Sequence, residues 1–387
     1  MDRNDATVDE DIVLAVKDIS VDYEAENGSV HAVSDVNISL RRGQILGVAG
    51  ESGSGKSTLA YTIARLLQPP AVVTKGEVMY YPRVRELAEG QRTDARKAQL
   101  KVPVDILQLS PADLHALRWN EIAMVFQSAM NALNPVLTIG EQIDDVLRTH
   151  RPAMKLASRK QRAYELLELV GIAADRLHSY PHELSGGMRQ RAIIAIALAL
   201  NPEILILDEP TTALDVVMQR EILTEVIRLH EQMGFSIIFI THDLSLLLEV
   251  ADQVVIMYAG RIIEAATRRE MYLHPRHPYS YGLLHSFPSL RGPRRRMVGV
   301  PGSPPDLRRP PAGCAFHPRC PLAFAPCSVE LPQLLPFTQD EAVSEHTSMP
   351  TRVACHLYDP HHRASAPAQS DLAAAYEALS TKKVATL

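Results

Sequence analysis

Gly50-Glu51-Ser52-Gly53-Ser54-Gly55-Lys56-Ser57-Thr58 stands between a strand-like run, Gln44 to Ala49, and a helical pattern, Leu59 to Leu67. Gly50, Gly53 and Gly55 let the backbone curl so that consecutive amide N–H groups point inward, and the helix beginning near Lys56 aims its positive end at the same point. That is a phosphate-binding loop. In it Lys56 is expected to bridge the β- and γ-phosphates of a triphosphate, and the Ser57 hydroxyl to take one position on a magnesium ion. The loop alone does not separate a kinase, a GTPase and a transport motor.

The 387 residues exceed one average domain, and 46% hydrophobic with 22% charged residues and a net charge of -5 is an ordinary globular balance. No basic face is indicated, so nucleic acid is not an expected partner. The longest apolar run, Ala192 to Leu200, is about half of the roughly 18 to 20 residues that a membrane span needs. Met1 to Asp11 is polar and lacks an apolar signal region, which places the chain in the cytoplasm.

In chain order, Val13 to Tyr23 and Ala32 to Leu40 read as strands separated by the turn-prone Glu26-Asn27-Gly28-Ser29. Tyr23, ending the first, is placed to stack on an adenine base or to be a half-buried strand tyrosine. Gly76 to Tyr81 reads as a further strand, and Pro82 to Val102 as a surface insertion; doubling a loop costs only about 0.6 kcal/mol of closure entropy. Ile122 to Phe126 is a strand that delivers the Gln127 amide to a carboxyl edge, where α/β sheets hold ligands. From Thr138 to Leu177 the period becomes helical, with Ile139, Ile143, Val146, Leu166, Leu167 and Val170 on apolar faces, giving an inserted helical subdomain. Ser185, beside Gly186 and Gly187, opens a second helix whose start could hold an anion. Ile204 to Leu207 is a buried strand closing in Asp208 and Glu209, two carboxylates that face the phosphate loop.

The loop at 50–57, Gln127, the run Leu184-Ser185-Gly186-Gly187-Met188-Arg189-Gln190-Arg191, the strand ending Asp208-Glu209, Ala213-Leu214-Asp215 and His242 after Ile237 to Ile240 resemble the ABC transporter ATPases in identity, order and spacing. Tyr180-Pro181-His182-Glu183 before the signature, Leu133-Asn134-Pro135 and His277-Pro278-Tyr279 resemble the oligopeptide and dipeptide importer branch, which also includes nickel and other small-solute importers. The insertion at 82–102 is longer than that branch usually carries.

The resemblance implies an α/β fold, a phosphate-loop NTPase core with an antiparallel β subdomain and an inserted helical subdomain. The ATPase domain would span 12–266, with the helical subdomain at about 128–185. A cysteine-containing extension would follow at 267–358, and a flexible tail at 359–387 with a short helix near Leu372 to Leu379. It implies ATP and magnesium as cofactors, with Tyr23, Gly50, Ser52, Gly53, Ser54, Gly55, Lys56, Ser57, Thr58 and Asp208 around the nucleotide and Ser57, Gln127 and Asp208 toward magnesium. Glu209 would polarise the attacking water, and His242, Lys56 and Gln127 would assist. Ser185, Gly186 and Gly187 would close on the nucleotide of a partner ATPase, so a homo- or heterodimer is expected. Two transmembrane permease subunits and an extracytoplasmic peptide-binding protein complete the implied assembly, on the cytoplasmic face of the membrane.

The extension is proline-rich from Pro288 to Pro318, with the basic run Arg291-Gly292-Pro293-Arg294-Arg295-Arg296 read as a solvated linker. The four cysteines of the chain, Cys314, Cys320, Cys327 and Cys355, all lie here, with five, six and twenty-seven residues between them. In a reducing compartment thiolate ligation of a metal suits them better than disulfides. Zinc is one reading, although its usual closely paired cysteines are missing. The stretch Gly313 to Pro321 resembles the C-terminal motif of peptide-importer ATPases, which implies a [4Fe-4S] cluster.

Overall fold

The computed structural model describes residues 11–26, 28–83, 102–127, 132–212, 214–286, 299–337 and 350–382. Most of the 82–102 insertion, the basic run at 291–296 and Ala213 therefore lie outside the described residues.

Alternating Val, Ile and Ser residues make β1 (Ile12–Tyr23) and β2 (Val30–Arg41), which pair antiparallel, Val16 opposite Ile38 and Tyr23 opposite Val30. The chain then enters β3 (Ile45–Ala49), turns through the glycine-rich loop and runs into α1 (Lys56–Ile63). β4 (Ala71–Tyr80) returns alongside β1, and β5 (Val104–Asp105) closes a four-stranded sheet in the order β2-β1-β4-β5. β4 starts earlier than Gly76, because Ala71, Val72 and Val73 still pair with Tyr23, Asp22 and Val21; a register shift near Lys17 and Ser20 accommodates the bend.

After α2 (Pro111–Leu117), β6 (Ile122–Val125) begins the parallel part of a second sheet. The helical segment follows as α3 (Ile139–His150), α4 (Leu156–Leu169) and α5 (Gly186–Ala197). Thr138 and Glu141 form a reciprocal capping box at the start of α3, a cap of the kind that contributes about 1 kcal/mol. The apolar faces of these helices bury Ile139, Ile143, Leu147, Ala163, Leu166 and Leu167. β7 (Ile204–Asp208), α6 (Val216–Met233), β8 (Ser236–Thr241), α7 (Leu244–Val250), β9 (Gln253–Tyr258) and β10 (Arg261–Thr267) complete the core.

β9-β3-β8-β7-β6 are parallel, so both faces must be covered. Successive residues of the continuous apolar strands serve opposite sides: Ile204, Ile206, Ile238 and Ile240 pack toward the antiparallel sheet, and Leu205, Leu207, Ile237 and Phe239 toward the helices. The loop after β3 and the ends of β6, β7 and β8 thereby meet at one carboxyl edge. No described helix is long and apolar enough to cross a membrane.

The segment after Thr267 is woven into this core rather than organised apart from it. α8 (Arg268–Leu273) and α9 (Pro278–Leu284) lead to β11 (Leu335–Pro336) and β12 (Arg352–Val353), which extend the sheet beyond β10, Val353 opposite Glu264. Tyr279, Cys314, Phe316 and Cys327 join the main apolar cluster. In the tail, a helix lies where a short one near Leu372 to Leu379 is expected. α10 (Leu372–Lys382) buries Leu372 and Tyr376 against Leu322 and Leu357, and the Tyr376 hydroxyl donates to the Pro278 carbonyl at 2.8 Å. An isolated helix of this length is marginal, and two buried side chains with a satisfied hydroxyl hold it in place.

Candidate functional site

The loop at 50–58 is shaped by close backbone approach. At Gly55, in the left-handed region at φ 98°, a Cβ would stand 2.3 Å from the Ala32 carbonyl oxygen, and at Gly50 one would stand 2.3 Å from that of Met257. Only glycine fits either position. Ser54 is buried, while Ser52 and Gly53 are exposed at the loop's crest. Lys56 is buried inside the curl, its Nζ donating to the carbonyls of Gly50 at 2.8 Å and Glu51 at 2.9 Å. Burial pulls its pKa below the ordinary lysine value, against the opposing fields of Glu209, Asp208 and Glu51. A buried ammonium facing three carboxylates is an anchor for an anionic group.

Asp208 ends β7 fully buried. Its Oδ1 accepts from the Ser57 hydroxyl at 3.0 Å, and its Oδ2 is buried with no hydrogen-bond partner. Burial raises its pKa, an effect that the Ser57 hydrogen bond partly offsets. A hydroxyl and a carboxylate converging, with one oxygen unsatisfied, fit a hard divalent cation such as magnesium.

Glu209 has φ 46°, a conformation that a non-glycine residue keeps only where its surroundings hold it. Its amide donates to the Ile240 carbonyl at 2.9 Å, tying it to the end of β8. Its Oε2 accepts from Gln127 Nε2 at 3.1 Å and from the Thr212 hydroxyl at 3.0 Å, and its Oε1 lies 3.5 Å from His242 Nδ1. Three strand ends thus bring Gln127, Asp208, Glu209 and His242 together beside the loop. Thr212 is a member that sequence reading misses; its position two residues beyond Pro210 gives no signal of the bond it makes. Tyr23 sits at the loop's far side, its hydroxyl 3.3 Å from that of Thr58.

Ser185 caps α5, accepting from the Met188 amide at 3.3 Å, and is exposed with Gly186 and Gly187 behind it. No described hydrogen bond joins these residues to the loop of their own chain.

Two further residues brace the loop from the extension. Arg319, with its side chain only 6% exposed, donates to both oxygens of Glu51 at 2.7 and 2.9 Å, to the Pro301 carbonyl at 2.6 Å and to the Tyr258 hydroxyl at 3.2 Å. The Glu51 amide donates to the Tyr279 hydroxyl at 2.8 Å. Glu51 and Arg319 both stand in motifs quoted above, and only the fold pairs them.

Arg319 lies between two of the four cysteines. Burial raises the pKa of every one of these thiols, Cys314 to about 11 and Cys320 to about 12, with neighbouring thiols adding to the effect at Cys314, Cys320 and Cys355. Cys355 feels the other three, so the extension gathers all four into one region.

The model of the ABC transporter family matches residues 33–212, and that of the oligopeptide/dipeptide transporter C-terminal region matches residues 263–327. The chain is 44% identical over 79% of its length to the oligopeptide transport ATP-binding protein of Bacillus subtilis, covering 80% of that protein. It is 42% identical over 82% of its length to the dipeptide transport ATP-binding protein of Lactococcus lactis, covering 85% of it. Among solved structures, a dimeric ATP-binding cassette in a post-hydrolysis state with ADP and phosphate superposes with a TM-score of 0.54 at 28% identity, covering 66% of this chain and 99% of that one. With the glycine loop, the Asp208–Glu209 strand end and the signature helix in place, the chain belongs to the ATP-binding subunits of the oligopeptide and dipeptide ABC transporters, an ABC-type ATPase.

Proposed function

We propose that this chain powers uptake of oligopeptides or dipeptides, and that hydrolysis runs on the residues gathered at the carboxyl edge of the parallel sheet. The observation that carries the reading is the meeting of Lys56, Ser57, Asp208, Glu209, Gln127 and His242 from separate elements around one loop. Loop amides from Gly50 to Thr58 and the Lys56 ammonium bind the phosphates, and Tyr23 supplies a ring for the base. Ser57 and Asp208 hold magnesium, with Gln127 near it; bound there, the ion neutralises charge on the transferring phosphoryl group. Glu209 accepts a proton from the attacking water, while Gln127 and Thr212 fix its carboxylate and His242 reaches the γ-phosphate side. The strained backbone at Glu209 keeps that carboxylate aimed.

Ser185, Gly186 and Gly187 serve the nucleotide of a second ATPase subunit, so each chain of a head-to-tail pair completes the other's site. Support comes from the exposed position of Ser185 at a capped helix start and from the likeness to a dimeric cassette. The pair works at the cytoplasmic face with two membrane-spanning permease subunits and an extracytoplasmic binding protein that selects the peptide.

Cys314, Cys320, Cys327 and Cys355 hold a [4Fe-4S] cluster in a structural role. Support comes from two buried thiols, Cys314 and Cys327, and two half-buried ones, Cys320 and Cys355, in electrostatic reach of one another: as bare thiolates they would be costly, and metal ligation removes that cost. Anaerobically purified protein is expected to be brown, with iron and sulfide in the ratio of such a cluster. A colourless preparation with one zinc per chain would replace the cluster with zinc.

Purification of the solubilised complex from the native cell tests the transport reading. A copurifying binding protein loaded with peptide is expected; one loaded with nickel or another small solute would move the cargo elsewhere.

A further inference from the structure

The short segment after the last cysteine carries a ligand set that neither the nucleotide site nor the thiols use. His356, Asp359 and His362 offer ligand atoms that all lie within 4.8 Å of one another. Their spacing, two intervening residues on each side, is produced by a run of tight turns in which the Asp359 amide reaches the His356 carbonyl and the His362 amide that of Asp359.

Both histidines are oriented by Glu330. His356 Nε2 lies 2.8 Å from the Glu330 carbonyl oxygen, and His362 Nε2 lies 3.0 Å from its carboxylate Oε2. A carbonyl and an ionised carboxylate only accept, so each Nε2 carries a proton and, in the neutral ring, each Nδ1 presents a lone pair. On His356 that Nδ1 is buried and without a hydrogen-bond partner, in a residue only 2% exposed. A neutral imidazole whose far nitrogen is held by a carbonyl or carboxylate is the arrangement found on metal-bound histidines. The third group, Asp359, spends Oδ1 on the His361 amide at 2.9 Å and has Oδ2 left to give.

We propose that His356, Asp359 and His362 form a site for a divalent transition cation, zinc above all, distinct from both the magnesium position and the cysteine centre. Two imidazoles and one carboxylate select borderline cations over magnesium or calcium, whose ligands are oxygens. Solvent completes the coordination. The site ties the 356–362 turns, through Glu330, to the cysteine-bearing segment. Among the described residues, the local apolar cluster there has four buried members, Leu322, Leu357, Leu372 and Tyr376, a small core of the kind that metal ligation commonly reinforces.

Cobalt(II) distinguishes this site from the thiols, because sulfur ligation adds intense thiolate-to-metal charge transfer and nitrogen and oxygen ligation does not. The full chain, purified anaerobically with its cysteine centre intact and freed of loosely bound metal, is titrated with cobalt alone. One equivalent is expected to give visible ligand-field bands without new charge transfer and to raise the melting temperature. Asp359→Asn and His362→Ala, at half-buried positions, should each weaken that binding by at least the roughly ten- to hundredfold that loss of an outer-shell partner costs. Absence of the ligand-field bands in the wild-type chain, bands accompanied by thiolate charge transfer, or binding unchanged in both variants would overturn the site.

Discussion

Arg319 grips both carboxylate oxygens of Glu51 across 268 positions of chain, at 2.7 and 2.9 Å, and so fastens the cysteine-bearing extension to the phosphate-binding loop. The guanidinium also stands over the rings of Tyr258 and Phe316, at 5.7 and 5.9 Å from their centroids. A bidentate, largely desolvated pair of this kind fixes geometry as well as energy. Glu51 is held twice, since its amide donates to Tyr279.

Arg319→Met should therefore loosen the loop, raising the KM for ATP more than it lowers kcat. In a double-mutant cycle with Glu51→Gln, the coupling in folding stability should be about 1 to 3 kcal/mol. A coupling near zero would show the pair to be incidental.

His277 gives the fold an acid-sensitive point. It is fully buried, and burial depresses its pKa to about 3 from 6.5, so the folded chain keeps it neutral while the unfolded chain protonates it below 6.5. Its contribution to stability is therefore intact above pH 6.5 and is lost as pH falls toward 3, by up to about 1.4 kcal/mol for each pH unit. Glu264, raised by burial to about 7, acts in the opposite sense between its ordinary value of 4.5 and 7. Comparison of variants isolates the histidine. His277→Asn keeps an acceptor for the Tyr279 amide that His277 Nδ1 caps at 3.0 Å, and its melting temperature should fall less steeply than wild type below pH 6.5. Parallel curves would contradict the assignment.

Deleting the tail from residue 359 should destabilise the protein, because it removes Leu372 and Tyr376 from the last apolar cluster. Tyr376→Ala alone should cost about 3 to 5 kcal/mol, measured by denaturant unfolding. A variant as stable as wild type would mean that α10 does not dock in solution.

The parts legible in the sequence are those in which one contiguous stretch carries its own physics. The glycine loop needs only local backbone freedom, and a buried strand ending in Asp208 and Glu209 places two carboxylates at a sheet edge whatever surrounds them. The helical segment announces itself by apolar spacing from Ile139 to Val170. What stayed hidden depends on residues far apart: the Glu51–Arg319 pair, the Thr212 bond to Glu209 and the docking of Tyr376 beneath Pro278. β11 and β12 are two residues each, too short for any period, so nothing local reveals that the extension continues the main sheet.

The proposed head-to-tail pairing sets how activity should depend on assembly. If Lys56 and Ser185 of one chain serve different nucleotide sites, hydrolysis per chain should rise with concentration, and further with a partner ATPase and the membrane subunits. Full activity, independent of concentration, from a demonstrably monomeric preparation would contradict this.

The most direct test of the hydrolytic site compares equilibrium ATP binding with steady-state hydrolysis in Glu209→Gln, in the assembled transporter. The amide keeps the shape of the pocket but is a poor base. Binding should stay within a small factor of wild type, while turnover falls by about 10²- to 10⁴-fold and the closed dimer accumulates. Wild-type turnover in this variant would remove Glu209 from the chemistry and overturn the account of the site.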